Sequence, residues 1–134
     1  MDNYSSELLQ NQFPNIELNN INRSFGSAAH NGHLVICEWL MQFNPDVHAI
    51  DDYAFRWAAR NGHLETCMWL IQFKPDVHAV YDYVTRWAAE NDHLETCMWL
   101  IEIDKDLIEL LNEEQLKKLE FYVNMKRKKS ARSV

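Results

Sequence analysis

The chain copies itself at an interval of 30 residues, and this repeat limits the folds open to it more than any other feature. Tyr53, Arg56, Trp57, Ala58, Ala59, Asn61, His63 and Leu64 recur at Tyr83, Arg86, Trp87, Ala88, Ala89, Asn91, His93 and Leu94. Glu65 through Ile71 recur as Glu95 through Ile101. A weaker copy precedes them in register, through Phe25, Ala28, Ala29, Asn31, Gly32, His33, Leu34, Cys37, Trp39 and Leu40. A period of this length marks a solenoid, in which each unit buries its apolar face against its neighbours.

Each unit reads as two helices. The first stops at Asn31-Gly32, Asn61-Gly62 or Asn91-Asp92. Glycine just past a helix end accepts the left-handed conformation that stops it, and Asp92 takes the same conformation at some cost. The second helix starts near His63 and ends before Pro75, as its counterpart ends before Pro45, because proline cannot continue a helix interior. Phe55, Ala58 and Ala59 share one face of the first helix. Leu64, Cys67, Leu70 and Ile71, widened by Trp69 and Phe73, leave the second helix with little polar surface, so it is buried on several sides.

The run Ala58-Ala59-Arg60-Asn61-Gly62-His63-Leu64 through Trp69-Leu70-Ile71, followed by Pro75-Asp76-Val77-His78-Ala79, resembles an ankyrin repeat. The resemblance spans residues 22–111 as three repeats. It implies an all-α, ankyrin-type solenoid of stacked helix–turn–helix units whose concave groove binds other proteins. Two features depart from the family pattern. Tyr53-Ala54-Phe55-Arg56 stands where the family has Thr-Pro-Leu-His. The repeat also falls short of the family's roughly 33 residues. The missing residues lie between Ala79 and Trp87, so the hairpin fingers are expected to be short or absent. The shortened unit is similar to ankyrin repeat proteins of giant DNA viruses.

The chain divides accordingly: an N-terminal capping half repeat over 1–21, repeats over 22–51, 52–81 and 82–111, a C-terminal capping helix over 112–125, and a basic, disordered tail over 126–134. Leu8, Leu9, Pro14 and Ile16 mirror Trp39, Leu40, Pro45 and Val47, so residues 4–16 read as a degenerate second helix. Asn112 and Gln115 have the spacing of a capping box. Leu116, Leu119 and Val123 share a face that can close the end of the core. Lys126-Arg127-Lys128-Lys129 resembles a nuclear-import signal or a nucleic-acid or lipid anchor, against the plainer reading of a solvated tail.

The most informative surface is on the first helices. Tyr53, Trp57 and Arg60 line one face, Tyr83, Trp87 and Glu90 repeat the line, and Arg23, Ser27 and His30 hold the same places in the first unit. Tyr, Trp and Arg are enriched at binding hot spots. Tyr53, Trp57, Arg60, Tyr81, Tyr83, Trp87 and Glu90 are therefore the candidate protein-binding residues, with Tyr81 expected to be exposed near the finger tip. The sequence leaves open whether Trp57 and Trp87 meet a partner or pack between neighbouring first helices. For Arg56 and Arg86 it leaves open local hydrogen bonding or partner contact.

Other functions find less support. His33/Cys37, His63/Cys67 and His93/Cys97 are i, i+4 pairs, and a metal-responsive array is the alternative they raise. Each pair supplies only two of the four ligands that structural zinc takes. No phosphate loop or catalytic constellation stands out, so no enzyme, cofactor or small-molecule substrate is expected. Residues 126–134 hold five of the 13 basic residues and no acid, leaving eight against all 20 acids elsewhere, a balance of −12. That argues against nucleic-acid binding by the body of the chain. The N-terminal residues lack a signal peptide's character and no apolar run is long enough to span a bilayer, so a cytoplasmic location is expected, or a nuclear one through the tail. Three cysteines then read as reduced thiols. A decayed repeat protein without a partner is the remaining alternative.

Overall fold

The computed structural model describes residues 19–75 and 77–132, with 77–79 as backbone alone. The half helix expected over 4–16 lies outside the described residues. Among the described residues the chain forms α1 (Ile21–His30), α2 (Leu34–Leu40), α3 (Ala49–Arg60), α4 (Leu64–Leu70), α5 (Val77–Glu90), α6 (Leu94–Ile103) and α7 (Glu113–Arg132), and no strand. The first helices α1, α3 and α5 pack on one another in order, and each packs on its own second helix, α2, α4 or α6. This is an all-α repeat solenoid.

The same turn closes each first helix. The N–H groups of His33, His63 and His93 donate to Ala28, Ala58 and Ala88 carbonyls at 2.8 Å, across the residue in the left-handed region. Those residues are Gly32 (φ +69°), Gly62 (φ +73°) and Asp92 (φ +58°). The six-residue bond satisfies a helix-end carbonyl that would otherwise be orphaned. Asp92→Gly removes a Cβ penalty at that φ and is expected to raise stability by about 1 kcal/mol. The gain is reduced by the exposed ion pair of Asp92 with Lys118 at 3.0 Å, a contact worth little in solvent. Denaturant unfolding checks it, and a loss of stability would show that the pair outweighs the strain.

Small residues let the first helices approach. Ala28, Ala29, Ala58, Ala59, Ala88 and Ala89 are all buried, with Phe25 and Phe55 filling the space between helices. Cys37, Cys67 and Cys97 sit equally deep in the second helices. Burial pushes the Cys37 thiol up to about 12 and the Cys97 thiol up to about 11, and raises that of Cys67 further. These are packing residues held as neutral thiols, a poor state for a metal ligand. Among the described residues no three His, Cys, Asp or Glu side chains converge on a metal-sized space.

His63 and His93 each rest on the glycine turn of the unit before. A Cβ on Gly32 would lie 2.4 Å from His63 Nδ1, so the ring rests directly on the preceding turn. Burial holds the His63 imidazole below its ordinary value of 6.5, and the charges of His30, His33 and His93 lower it further, opposed by a hydrogen bond with the His30 backbone. Just below pH 6.5 the unfolded chain therefore binds a proton that the folded chain does not. The His63 contribution to stability is complete above that pH and is lost as pH falls towards the folded value. A thermal midpoint that drops between about pH 7 and about pH 5.5, less steeply in His63→Gln, is the expected result. A ring titration midpoint above 6.5 would contradict it.

The C-terminal end is closed by α7. Asn112 and Gln115 form the reciprocal cap: the Gln115 N–H donates to Asn112 Oδ1 at 2.8 Å, and the Asn112 N–H donates to Gln115 Oε1 at 3.0 Å. Leu119 and Leu111 cover Ala88, Ala89 and Cys97, whereas Leu116 is exposed and Val123 half-buried. The disordered tail expected from residue 126 is not what forms, because α7 continues to Arg132. Lys, Arg, Met and Ala are good helix formers, and positive charge suits a helix C-terminus. Lys126 also lies 4.0 Å from Glu95 and 5.6 Å from the Tyr122 ring centre.

Candidate functional site

Seven residues separate Tyr53 from Arg60 on α3, two turns of helix, so Tyr53, Trp57 and Arg60 rise along one face. α5 presents Tyr83, Trp87 and Glu90 beside them, and α1 presents Arg23, Ser27 and His30. Close packing of the alanine faces brings these side chains into a single ladder. The His30 ring stacks on Trp57 with centroids 4.7 Å apart and planes 12° apart. Tyr53 Oη is 3.2 Å from His30 Nδ1. The Arg60 guanidinium lies 4.1 Å from the Trp57 ring centre and 3.6 Å from that of Trp87, between the two indoles. Tyr83 stacks on Trp87 with ring centres 6.3 Å apart, and the Arg56 guanidinium lies 5.9 Å from the Tyr83 ring centre. Trp57 and Trp87 pack between units and still remain partly exposed, and Glu90 is exposed.

Arg56 has a second task. α3 opens on three successive left-handed residues, Ile50, Asp51 and Asp52, with φ between +52° and +57°. None is glycine, so each costs roughly 1–2 kcal/mol. Arg56 holds the turn by donating Nε–H to the Asp51 carbonyl at 2.8 Å and Nη2–H to the Ile50 carbonyl at 3.0 Å. Buried Asp52 pairs with His48 on the same turn. Of the two readings open for Arg56, local hydrogen bonding is present.

The turn leaves Ile50 projecting, 76% exposed, at the rim of a cleft of about 690 Å³ between α1 and α3. Phe25, Val47, Ile50 and Ala54 supply its apolar wall, and Arg23, His30 and Tyr53 its polar one. The cleft thus continues the ladder. The sequence pointed to these α1 positions only by register, as the first unit's counterparts of Tyr53 and Arg60, and gave no sign of a cavity.

Tyr81 corrects an expectation. It is 3% exposed, packed with its ring centre 5.6 Å from that of Phe55. The chain enters α5 directly at Val77, so Tyr81 is a core residue of a helix and not the tip of a finger. Burial, with the nearby charge of Asp52, raises its hydroxyl above the ordinary tyrosine value. It does not share the surface of the other six residues.

A family model described as Ankyrin repeats (3 copies) matches residues 25–109. The chain belongs to the ankyrin repeat family. Neither a curated protein nor a solved structure matches it. Ankyrin repeats are generally protein–protein interaction modules and typically carry no enzymatic activity. Among the described residues no helix of this ankyrin chain is long and apolar enough to cross a membrane.

Proposed function

We propose that this ankyrin chain binds another protein through the concave face of α1, α3 and α5, using Tyr53, Trp57, Arg60, Tyr83, Trp87 and Glu90. The observation that carries the reading is the partly exposed stack of Trp57, Arg60 and Trp87. Aromatic and arginine side chains already ordered in the free protein lose little rotamer freedom on binding, which favours them as anchors. The short repeat, similar to those of giant DNA viruses, supports a viral source and hence a partner met in an infected cell. The buried cysteines weigh against the metal-responsive alternative.

Affinity capture from a cell lysate, with wild type beside Tyr53→Ser/Tyr83→Ser, tests the site. Circular dichroism and a thermal melt establish that the variant is folded. A protein held by wild type and lost by the folded variant supports the concave face. Equal capture by both moves the interface elsewhere on the chain.

A further inference from the structure

Of the two helix layers, only the first carries basic side chains. The second helices carry Glu38, Glu65, Glu95 and Glu102 and no basic residue. The first helices carry four of the chain's six arginines, Arg23, Arg56, Arg60 and Arg86, beside four acids, Asp51, Asp52, Asp82 and Glu90. Arg23 and Arg60 stand in the ladder's register and Arg56 reaches the Tyr83 ring, whereas the one acid in that register is Glu90. In a chain whose body is strongly acidic, the aromatic ladder itself therefore keeps a positive balance.

Arg60 adds a more local fact. Indoles cover the two faces of its guanidinium, which leaves the in-plane N–H edge as its free side. Among the described residues no hydrogen bond or ion pair reaches that edge. A planar fork of unspent donors, oriented by stacking, matches the two oxygens of a carboxylate. Beside it lies the cleft walled by Phe25, Val47, Ile50 and Ala54. Tyr53, at the cleft, and Arg60 are about 10 Å apart along α3, the reach of roughly three extended residues.

We infer that the occupant of this face is an acidic segment of a partner protein, whose Asp or Glu carboxylate is gripped by Arg60 and whose apolar side chain, about three residues away, fills the cleft. The inference rests on the concave-face reading and names the chemistry of its partner. A nucleic acid would bring many phosphates against the acidic body, whereas a short peptide meets only the local positive strip.

The test is selection of the full chain against a random dodecapeptide display library, followed by titration of the enriched peptides using Trp57 and Trp87 fluorescence. Enriched peptides should pair an acid with an apolar residue three or four positions away. Replacing that acid by its amide in the peptide should weaken binding about tenfold or more, since a charge-assisted bidentate contact is lost. The same replacement should matter little against Arg60→Gln, as expected of a direct pair. The peptide-side change leaves the protein untouched, so the result stands even if Arg60→Gln is poorly folded. Arg60→Lys, which keeps the charge without the fork, should recover only part of the affinity.

Peptides without acidic bias that are still lost on Trp87→Ser would overturn the acidic partner and leave the concave-face reading intact. Peptides indifferent to every substitution on this face would overturn both. A library that yields no binder overturns the acidic-segment inference. Phosphoserine in place of the acid, binding more than tenfold tighter, would overturn it in favour of a phosphopeptide.

Discussion

Trp39→Ala is expected to lose about 3–5 kcal/mol, the range for deleting a buried large aromatic side chain. The indole is 2% exposed and meets Phe43 edge-on, with ring centres 5.3 Å apart. Native domains hold only about 5–15 kcal/mol in total, so this loss would lower the thermal midpoint by 10 °C or more. Trp69 and Trp99 occupy the same register position but are only half-buried, and their alanine variants should lose less. Trp39→Phe isolates the cause. Among the described residues the buried Trp39 Nε1–H has no hydrogen-bond partner, so phenylalanine keeps much of the packing and removes an unsatisfied donor. Its cost should stay below about 1.5 kcal/mol. Equal losses in the alanine and phenylalanine variants, read by denaturant unfolding, would show that the indole nitrogen matters more than the ring's volume.

Gly32→Ala is expected to cost about 2–4 kcal/mol, from backbone strain and steric collision together. At φ +69° any Cβ is disfavoured, and this one would stand 2.4 Å from His63 Nδ1 and 2.6 Å from Cγ. The base of a ring held in the stack has no easy retreat. Gly62→Ala meets the His93 ring at 2.7 Å and should follow with a smaller loss. In Gly32→Ala/His63→Ala the collision is gone and only the strain of roughly 1 kcal/mol is added to the loss of the histidine. The double variant should thus be more stable than the sum of the two single losses predicts. Strict additivity would mean that the ring moves aside freely and that the stack does not fix it.

How far the sequence carries depends on whether a contact is set within one unit or between units. The helix pairs follow from local rules: Gly32 and Gly62 at the left-handed position, the Asn112–Gln115 box, and alanines where helices touch. The alignment of Tyr53, Trp57 and Arg60 on one face is equally local. The insertion of Arg60 beside Trp87 is not, because it depends on how closely α3 and α5 approach. The left-handed Ile50–Asp52 turn left no mark, since no glycine announces it and its support comes from Arg56 later in the same helix. Tyr81 lies in the core because the missing finger leaves helix and not loop in its place. In the basic run helix propensity outweighs the repulsion of like charges, so α7 runs on.

The bridge from Trp57 through Arg60 to Trp87 also bears on how such a gene can change. Trp57 recurs as Trp87, 30 residues on, and Arg60 stands three residues after the first indole of the pair. An in-frame duplication of residues 52–81 would set a second Trp and Arg between the existing ones, and each arginine would again find an indole on either side. The strip would lengthen by a whole rung with no new side chain to invent. Glu90, with no indole beyond it, would still mark its end. A single copying error is then enough to offer partners a longer text to match.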